Sequence, residues 1–211
     1  PSYTYKEFGD YSVTLTVTSG FGCVSSLIKN ISIIELPVAN FIVDPTVCLG
    51  DEIRFIDKSV NNTGNLVSWN WNLGNSQEFT NQNFFYEYEY VNKYDVTLTV
   101  ISDEGCMHDT TILDAVEVFS KPVADFNASI YSATELNSEI NFYNISSGED
   151  SYFWDFDNGV TSSEINPVIN FSDVRVYEVL LTVLSDDGCK DEIIKTINIT
   201  PKFTLFIPNS F

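Results

Sequence analysis

The sequence predicts an all-β chain built from tandem β-sandwich domains, and three observations carry that reading. One seven-residue segment is written three times, at residues 11–17, 94–100 and 177–183, with successive copies 83 positions apart, and each copy runs on to a Gly-Cys pair ending at Cys23, Cys106 or Cys189. Trp71 and Trp154 keep the same spacing. A fixed period of this size marks a tandem array of one domain type. Second, each copy alternates strictly: in residues 94–100 the apolar set is Tyr94, Val96, Leu98 and Val100, and the polar set is Asp95, Thr97 and Thr99. That is a half-buried strand, one face in a core and one in water. Third, helix signals are nearly absent, while short strand patterns recur at roughly ten-residue spacing, as in a sandwich.

The elements follow in chain order. The period divides the chain into 1–36, the tail of one domain, two whole repeats at 37–120 and 121–201, and a terminal strand at 202–211. A third of a sandwich cannot bury a core of its own. Residues 1–36 are therefore expected to complete a domain whose front half precedes Pro1, in a longer protein. Each whole repeat opens on Val-Ala-Asn-Phe41 or Val-Ala-Asp-Phe126, preceded by Pro37 or Pro122. Such Pro-containing joints predict a semi-rigid string. An early strand ends in Ile53-Arg-Phe55 or Ile140-Asn-Phe142, and a polar loop leads to the Trp strand. The alternating strand comes next. Ser102-Asp-Glu-Gly105 and Ser185-Asp-Asp-Gly188 then signal a hairpin, with Gly free to take positive φ. A last strand starts at Cys23, Cys106 or Cys189.

Composition narrows the function. Net charge is −20. Nucleic acid is excluded as a partner, because binding it needs clustered Lys and Arg, and an anionic membrane surface would repel the chain. No apolar run is long enough to insert in a membrane. The acidic balance is that of a soluble exported domain. With four cysteines, a disulfide and an oxidising compartment are expected. Early and late strands of a Greek-key sandwich lie close, so Cys48 is expected to pair with Cys106, a bond worth ~4 kcal/mol in the chain-entropy view. Cys23 would then pair upstream, and Cys189 would be free or paired outside its own unit, since Glu135 stands at the counterpart of Cys48. No two cysteines have metal-ligand spacing.

Several of these segments carry a family likeness. Trp-Asp-Phe-Asp-Asn-Gly at 154–159 resembles the Trp-Asp-Phe-Gly-Asp-Gly signature of polycystic kidney disease (PKD) domains. The strand at 177–183 resembles their late strand, Phe171, Tyr88 and Tyr5 match the aromatic just upstream of it, and Pro-Val-Ala-Asp-Phe126 resembles their opening. The likeness covers nearly the whole chain and implies an immunoglobulin-like (PKD-type) sandwich. The sequence departs from the signature in repeat two, where Trp71-Asn-Leu-Gly-Asn-Ser76 lacks the acidic residues. Residues 203–211 resemble the lead-in to the C-terminal sorting domain of type IX secretion in Bacteroidota. That second likeness implies export to the cell surface, in the company of gliding-motility adhesins and secreted hydrolases.

Candidate sites are few. Trp69, Tyr86 and Tyr90 are a candidate ligand platform for surface polysaccharide, against the plainer reading of interdomain packing. Trp71 and Trp154 sit in a repeated strand and are expected in the core. Asp125, Asp155 and Asp157 are weak Ca²⁺ candidates, Asp125 because some PKD domains bind the ion at domain joints. Calcium wants six to eight oxygens, and carboxylate pairs such as Asp103-Glu104 are more simply solvated turns. No other cofactor is implied. His108, the only imidazole, aligns with Ser25 and Asp191, so the repeat does not require it; it reads as a surface residue. No nucleophile elbow, metal motif or phosphate loop appears. The chain is read as non-enzymatic: a stalk or adhesion segment of a bacterial cell-surface protein, with the accessory module of a secreted polysaccharidase or protease as the alternative. Its expected partners are neighbouring domains of the same chain, surface polysaccharide, and type IX secretion or outer-membrane components.

Overall fold

The computed structural model describes residues 2–202, so the sorting-region likeness at 203–211 lies outside the described residues. Among those described there is no helix. The chain divides into two compact units: residues up to Val47 with 51–88 and 92–117, and residues 48–50 and 89–91 with those from 118 onward.

The first unit begins with a hairpin, β1 (Gly9–Thr18) and β2 (Val24–Ile33), paired antiparallel from Gly9↔Ile33 to Thr18↔Val24. The strands that follow are β3 (Phe41–Ile42), β4 (Thr46–Cys48), β5 (Glu52–Asp57), β6 (Leu66–Asn72), β7 (Glu78–Phe79), β8 (Asn83–Glu87), β9 (Lys93–Ser102) and β10 (Met107–Phe119). They form a five-stranded sheet, β4-β10-β9-β6-β7, and a three-stranded sheet, β3-β5-β8. The second unit repeats the plan with β11 (Phe126–Ala128), β12 (Ser132–Thr134), β13 (Glu139–Asn144), β14 (Ser151–Asp155), β15 (Thr161–Ser162), β16 (Val168–Asn170), β17 (Val176–Leu184) and β18 (Lys190–Thr200). Its sheets are β12-β18-β17-β14-β15 and β11-β13-β16. Identical strand order in both copies makes these two immunoglobulin-like sandwiches.

Alternation puts the repeated strand's apolar face inward. Val96, Leu98 and Val100 on β9, and Val179, Leu181 and Val183 on β17, are fully buried. Across each core lie Phe41, Ile53 and Phe55, or Phe126, Ile140 and Phe142. Between the two whole repeats the 83-residue spacing holds from the Trp strand through the hairpin turn and into β10 as far as Ile112. Residues Ile112 to Val116 of β10 form a bulge against β9, whereas β18 runs against β17 without one. A bulge inserts residues into one strand and breaks the register there.

Two of the repeated segments start at a tyrosine whose hydroxyl ties the chain back on itself. Tyr177 Oη donates to the Asp173 carbonyl at 3.1 Å and accepts from its N–H at 3.1 Å. Tyr11 Oη donates to the Glu7 carbonyl at 3.0 Å. This is the tyrosine corner of Greek-key sandwiches. The sequence reading placed both tyrosines on the buried face but missed the hydroxyl's task, because its acceptor is a backbone atom and leaves no residue pattern.

Candidate functional site

The turn after each Trp strand is the segment that carries the family signature, and its geometry shows what the signature residues do. In the first unit Asn72 Oδ1 accepts from Gly74 N at 2.9 Å, and Asn75 Oδ1 accepts from Gln77 N at 3.2 Å. In the second unit Asp155 Oδ1 accepts from Asp157 N at 2.9 Å, and Asn158 Oδ1 accepts from Val160 N at 3.0 Å. Both turns are thus two consecutive Asx turns. Both also need two left-handed residues, Gly74 (φ 77°) and Ser76 (φ 66°) in one, Asp157 (φ 56°) and Gly159 (φ 80°) in the other. The two copies place their single glycine at different positions of the same turn. An acidic residue is not required at the first position, since the amide oxygen of Asn72 closes the turn as the Asp155 carboxylate does.

Asp157 is secured from outside the turn. Arg175 Nη1 reaches its Oδ2 at 2.7 Å, Arg175 Nη2 donates to its carbonyl, and Glu178 N donates to Oδ2 at 3.3 Å. The Arg175 guanidinium lies 3.9 Å over the Tyr177 ring. The hydrogen bond from Arg175 holds the Asp157 carboxyl below its usual range. Asp125 is engaged by Lys195, whose Nζ is 2.6 Å from Oδ1 and also donates to the Phe126 carbonyl. That bond likewise lowers the Asp125 carboxyl. Asp155 is turned toward its own loop. The three calcium candidates therefore have protein donors, and no cluster of three or more His, Cys, Asp or Glu able to hold a metal exists among the described residues.

The aromatic candidates separate. Trp71 and Trp154 are fully buried, and each indole N–H donates at 2.9 Å to a backbone carbonyl ten residues on, that of Asn81 or Glu164. Trp69 is half-buried on β6, and its Nε1 donates to Asp57 Oδ2 at 2.8 Å. Tyr86 is half-buried on β8, in the other sheet, edge-on to Tyr88 at 4.9 Å, with its hydroxyl accepting from Asn75 Nδ2 at 2.9 Å. Tyr90 is exposed in a segment that belongs to the second unit. The three proposed platform residues thus share neither a strand nor a sheet. Sequence reasoning missed Asp57, which also accepts from Gln82 Nε2 at 3.0 Å and Ser59 N at 2.8 Å. Burial pushes its carboxyl up, but the bonds from Ser59, Gln82 and Trp69 outweigh that and hold it below the usual carboxylate range. Its counterpart, Asn144, accepts from Ser146 N at 3.0 Å in the same way.

Two expectations need correction. Cys48 is bonded to Cys189, 141 residues on, with a Cα–Cα distance of 5.7 Å, and not to Cys106. Cys48 ends β4, in the repeat before the one that holds Cys189, so Cys189 is paired outside its own repeat, one of the two alternatives expected for it. Cys106 and Cys23 are free. Strand adjacency is not sufficient for a disulfide; the two Cβ vectors must also converge. The second correction concerns His108, whose Nδ1 accepts from Ala39 N at 3.1 Å. Asp191, its counterpart, accepts from Ala124 N at 2.8 Å. The position is a hook for the opening segment in both whole repeats, an imidazole nitrogen in one and a carboxylate in the other.

Two sandwiches of identical strand order, each with a doubly bonded Asx turn after its Trp strand, define a class of structural β-domain. The PKD domain family matches residues 35–118 and 120–201, and the chain belongs to that family. PKD domains are non-catalytic modules. Over 82 residues the chain is 35% identical to the pre-pro-metalloprotease PrtV of Vibrio cholerae, a match that covers 37% of this chain and 8% of that protein's length. Among solved structures, the PKD1 domain of Vibrio anguillarum Epp is 34% identical, with 41% of this chain and 99% of that one covered, at a TM-score of 0.37. The PKD1 domain of the Vibrio cholerae metalloprotease PrtV is also 34% identical, with 37% and 96% covered, at a TM-score of 0.33.

Proposed function

We propose that this chain is an extracellular, non-catalytic spacer: a stalk segment of PKD repeats in a bacterial secreted or cell-surface protein. The observation that carries the reading is the use of the signature turns. Their polar side chains close the turn or hold a neighbouring strand, which stiffens the domain and leaves little to bind a substrate. Strong negative charge supports solubility outside the cell, and a disulfide supports an oxidising location. Within this reading the parent is an adhesin of a Bacteroidota surface, exported by type IX secretion. Its repeats extend a tip domain toward surface polysaccharide.

A second reading has its own support. The 34–35% identical relatives include segments of a protein named as a metalloprotease, which favours an accessory segment of a secreted protease or polysaccharidase. One experiment separates the two. The 211-residue chain is passed over immobilised bacterial and algal polysaccharides, and the intact parent is sequenced by tandem mass spectrometry from native cells. A spacer gives no micromolar binding and a large parent rich in peptides of this repeat type. Micromolar binding by the chain, together with peptides from a catalytic domain, moves the assignment to the accessory module.

A further inference from the structure

The Cys48–Cys189 bond closes a loop that holds most of both whole repeats. Its partners stand 141 positions apart. Cys48 is the last residue of β4 and Cys189 comes just before β18, so every strand from β5 to β17 lies inside the loop. Inside it fall the buried Trp71 and Trp154, the alternating strands β9 and β17, and the joint at Ser120-Lys121-Pro122. Outside it remain β1 to β4 and β18.

A covalent loop changes the path of a mechanical load. Tension applied ahead of Cys48 and beyond Cys189 crosses from one sulfur to the other, and residues 49–188 carry none of it. With the bond cut, the same tension runs through the whole loop, and each sandwich can lengthen only by opening. At ~3.3–3.6 Å per extended residue, the closed loop withholds about 460–500 Å of chain.

The strand at the downstream crossing suits this path. β18 begins at Lys190, next to Cys189, and runs extended to Thr200, paired with β17 from Leu184↔Lys190 to Val176↔Asn198. Tension that enters at Lys190 and leaves at Thr200 acts along a strand already near its full length, and β18 need not slide past β17. Cys189 is 1% exposed, which slows attack on its sulfur by an outside thiolate. Cys106, at the same place before β10, is free, so among the described residues one bond serves both repeats.

We propose that the Cys48–Cys189 bond is a load bypass: when the chain is under tension, it carries the pull past both sandwiches and keeps them folded. This rests on the stalk reading, because only a chain that is pulled uses the device. The polysaccharide binding that would overturn the stalk reading leaves the length deficit described below in place, so the two failures are read separately.

The test stretches single molecules of the 211-residue chain by tags at its two ends, first with the bond intact and then in a dithiol reductant. Cys48→Ser and Cys189→Ser chains are stretched alongside, so that a folding defect in one variant is told apart from loss of the bond. The reduced chain and both variants should release about 460–500 Å more contour length than the bonded chain. Equal release with and without reductant overturns the proposal. So does a deficit of only ~200 Å, the length of a loop from 48 to 106. A second measurement holds the bonded chain at a force that opens the reduced one and then adds the reductant. Folded sandwiches should yield in separate steps, one per repeat, after the bond is cut. A single jump of the whole length at the moment of cleavage would show that they had already opened, and overturns the bypass.

Discussion

Cys48 and Cys189 are bonded across 141 residues of chain, while Cys106, the counterpart of Cys189 in the preceding repeat, is free. Non-reducing peptide mapping should therefore recover one linked pair, Cys48 with Cys189, and an alkylating reagent should label Cys23 and Cys106 alone. Cys48→Ser should lower the stability of the second unit by ~2–5 kcal/mol and add Cys189 to the labelled set. Recovery of a Cys48–Cys106 peptide would refute the pairing.

Gly74 holds a left-handed backbone at φ 77°, and a Cβ there would stand 2.6 Å from the Asp95 carbonyl oxygen. Both conformation and space oppose a side chain. Gly74→Ala should destabilise the first unit by ~2 kcal/mol or more. Asp157→Gly, at the same position of the other turn, relieves the left-handed cost while losing Arg175. Its effect on the urea midpoint should be the smaller of the two.

The two classes of Trp should respond differently. Trp71→Ala or Trp154→Ala empties the centre of a core and should cost ~3–5 kcal/mol. Trp69→Phe keeps most of the apolar contact and removes one bond to Asp57, so it should cost ~1–2 kcal/mol. Equal losses in denaturant titrations would contradict the burial difference.

Acid should weaken the first unit partly through Asp57. Its folded carboxyl sits below the unfolded value, so its contribution is present above the unfolded pKa and is lost as pH falls through the lower folded one. Between pH 6 and pH 3 the urea midpoint should fall less in Asp57→Asn than in the parent chain. Asp57→Asn showing the same acid dependence would remove Asp57 from the account.

His108 acts as an acceptor toward Ala39 N, as Asp191 does toward Ala124 N. His108→Asp should keep Ala39 protected from amide exchange. His108→Leu should expose it and cost ~1–2 kcal/mol, the price of an unpartnered N–H.

Much of the fold was legible because strand signals are local. The alternation of residues 94–100 and its two copies gave the buried face, and the Gly at 105 and 188 gave the hairpin, since period-two patterning and positive φ are properties of a few adjacent residues. The candidate site was less legible. Trp69 and Tyr86 follow the same alternation as core residues but lie in different sheets. Asp155 and Asp157 look like metal ligands in a list of carboxylates, yet one closes a turn and the other holds Arg175.

By itself the sequence determined the all-β class, the repeat, the inward face of each repeated strand and the core position of Trp71 and Trp154. Only the tertiary structure decided that Cys189 rather than Cys106 meets Cys48, that His108 and Asp191 do one job with different chemistry, and that Trp69 and Tyr86 lie in different sheets. The physical reason is range. Side-chain alternation is set by neighbours two residues away, whereas a disulfide, a hook on a distant N–H and the closing of a core each depend on where segments tens of residues apart come to lie.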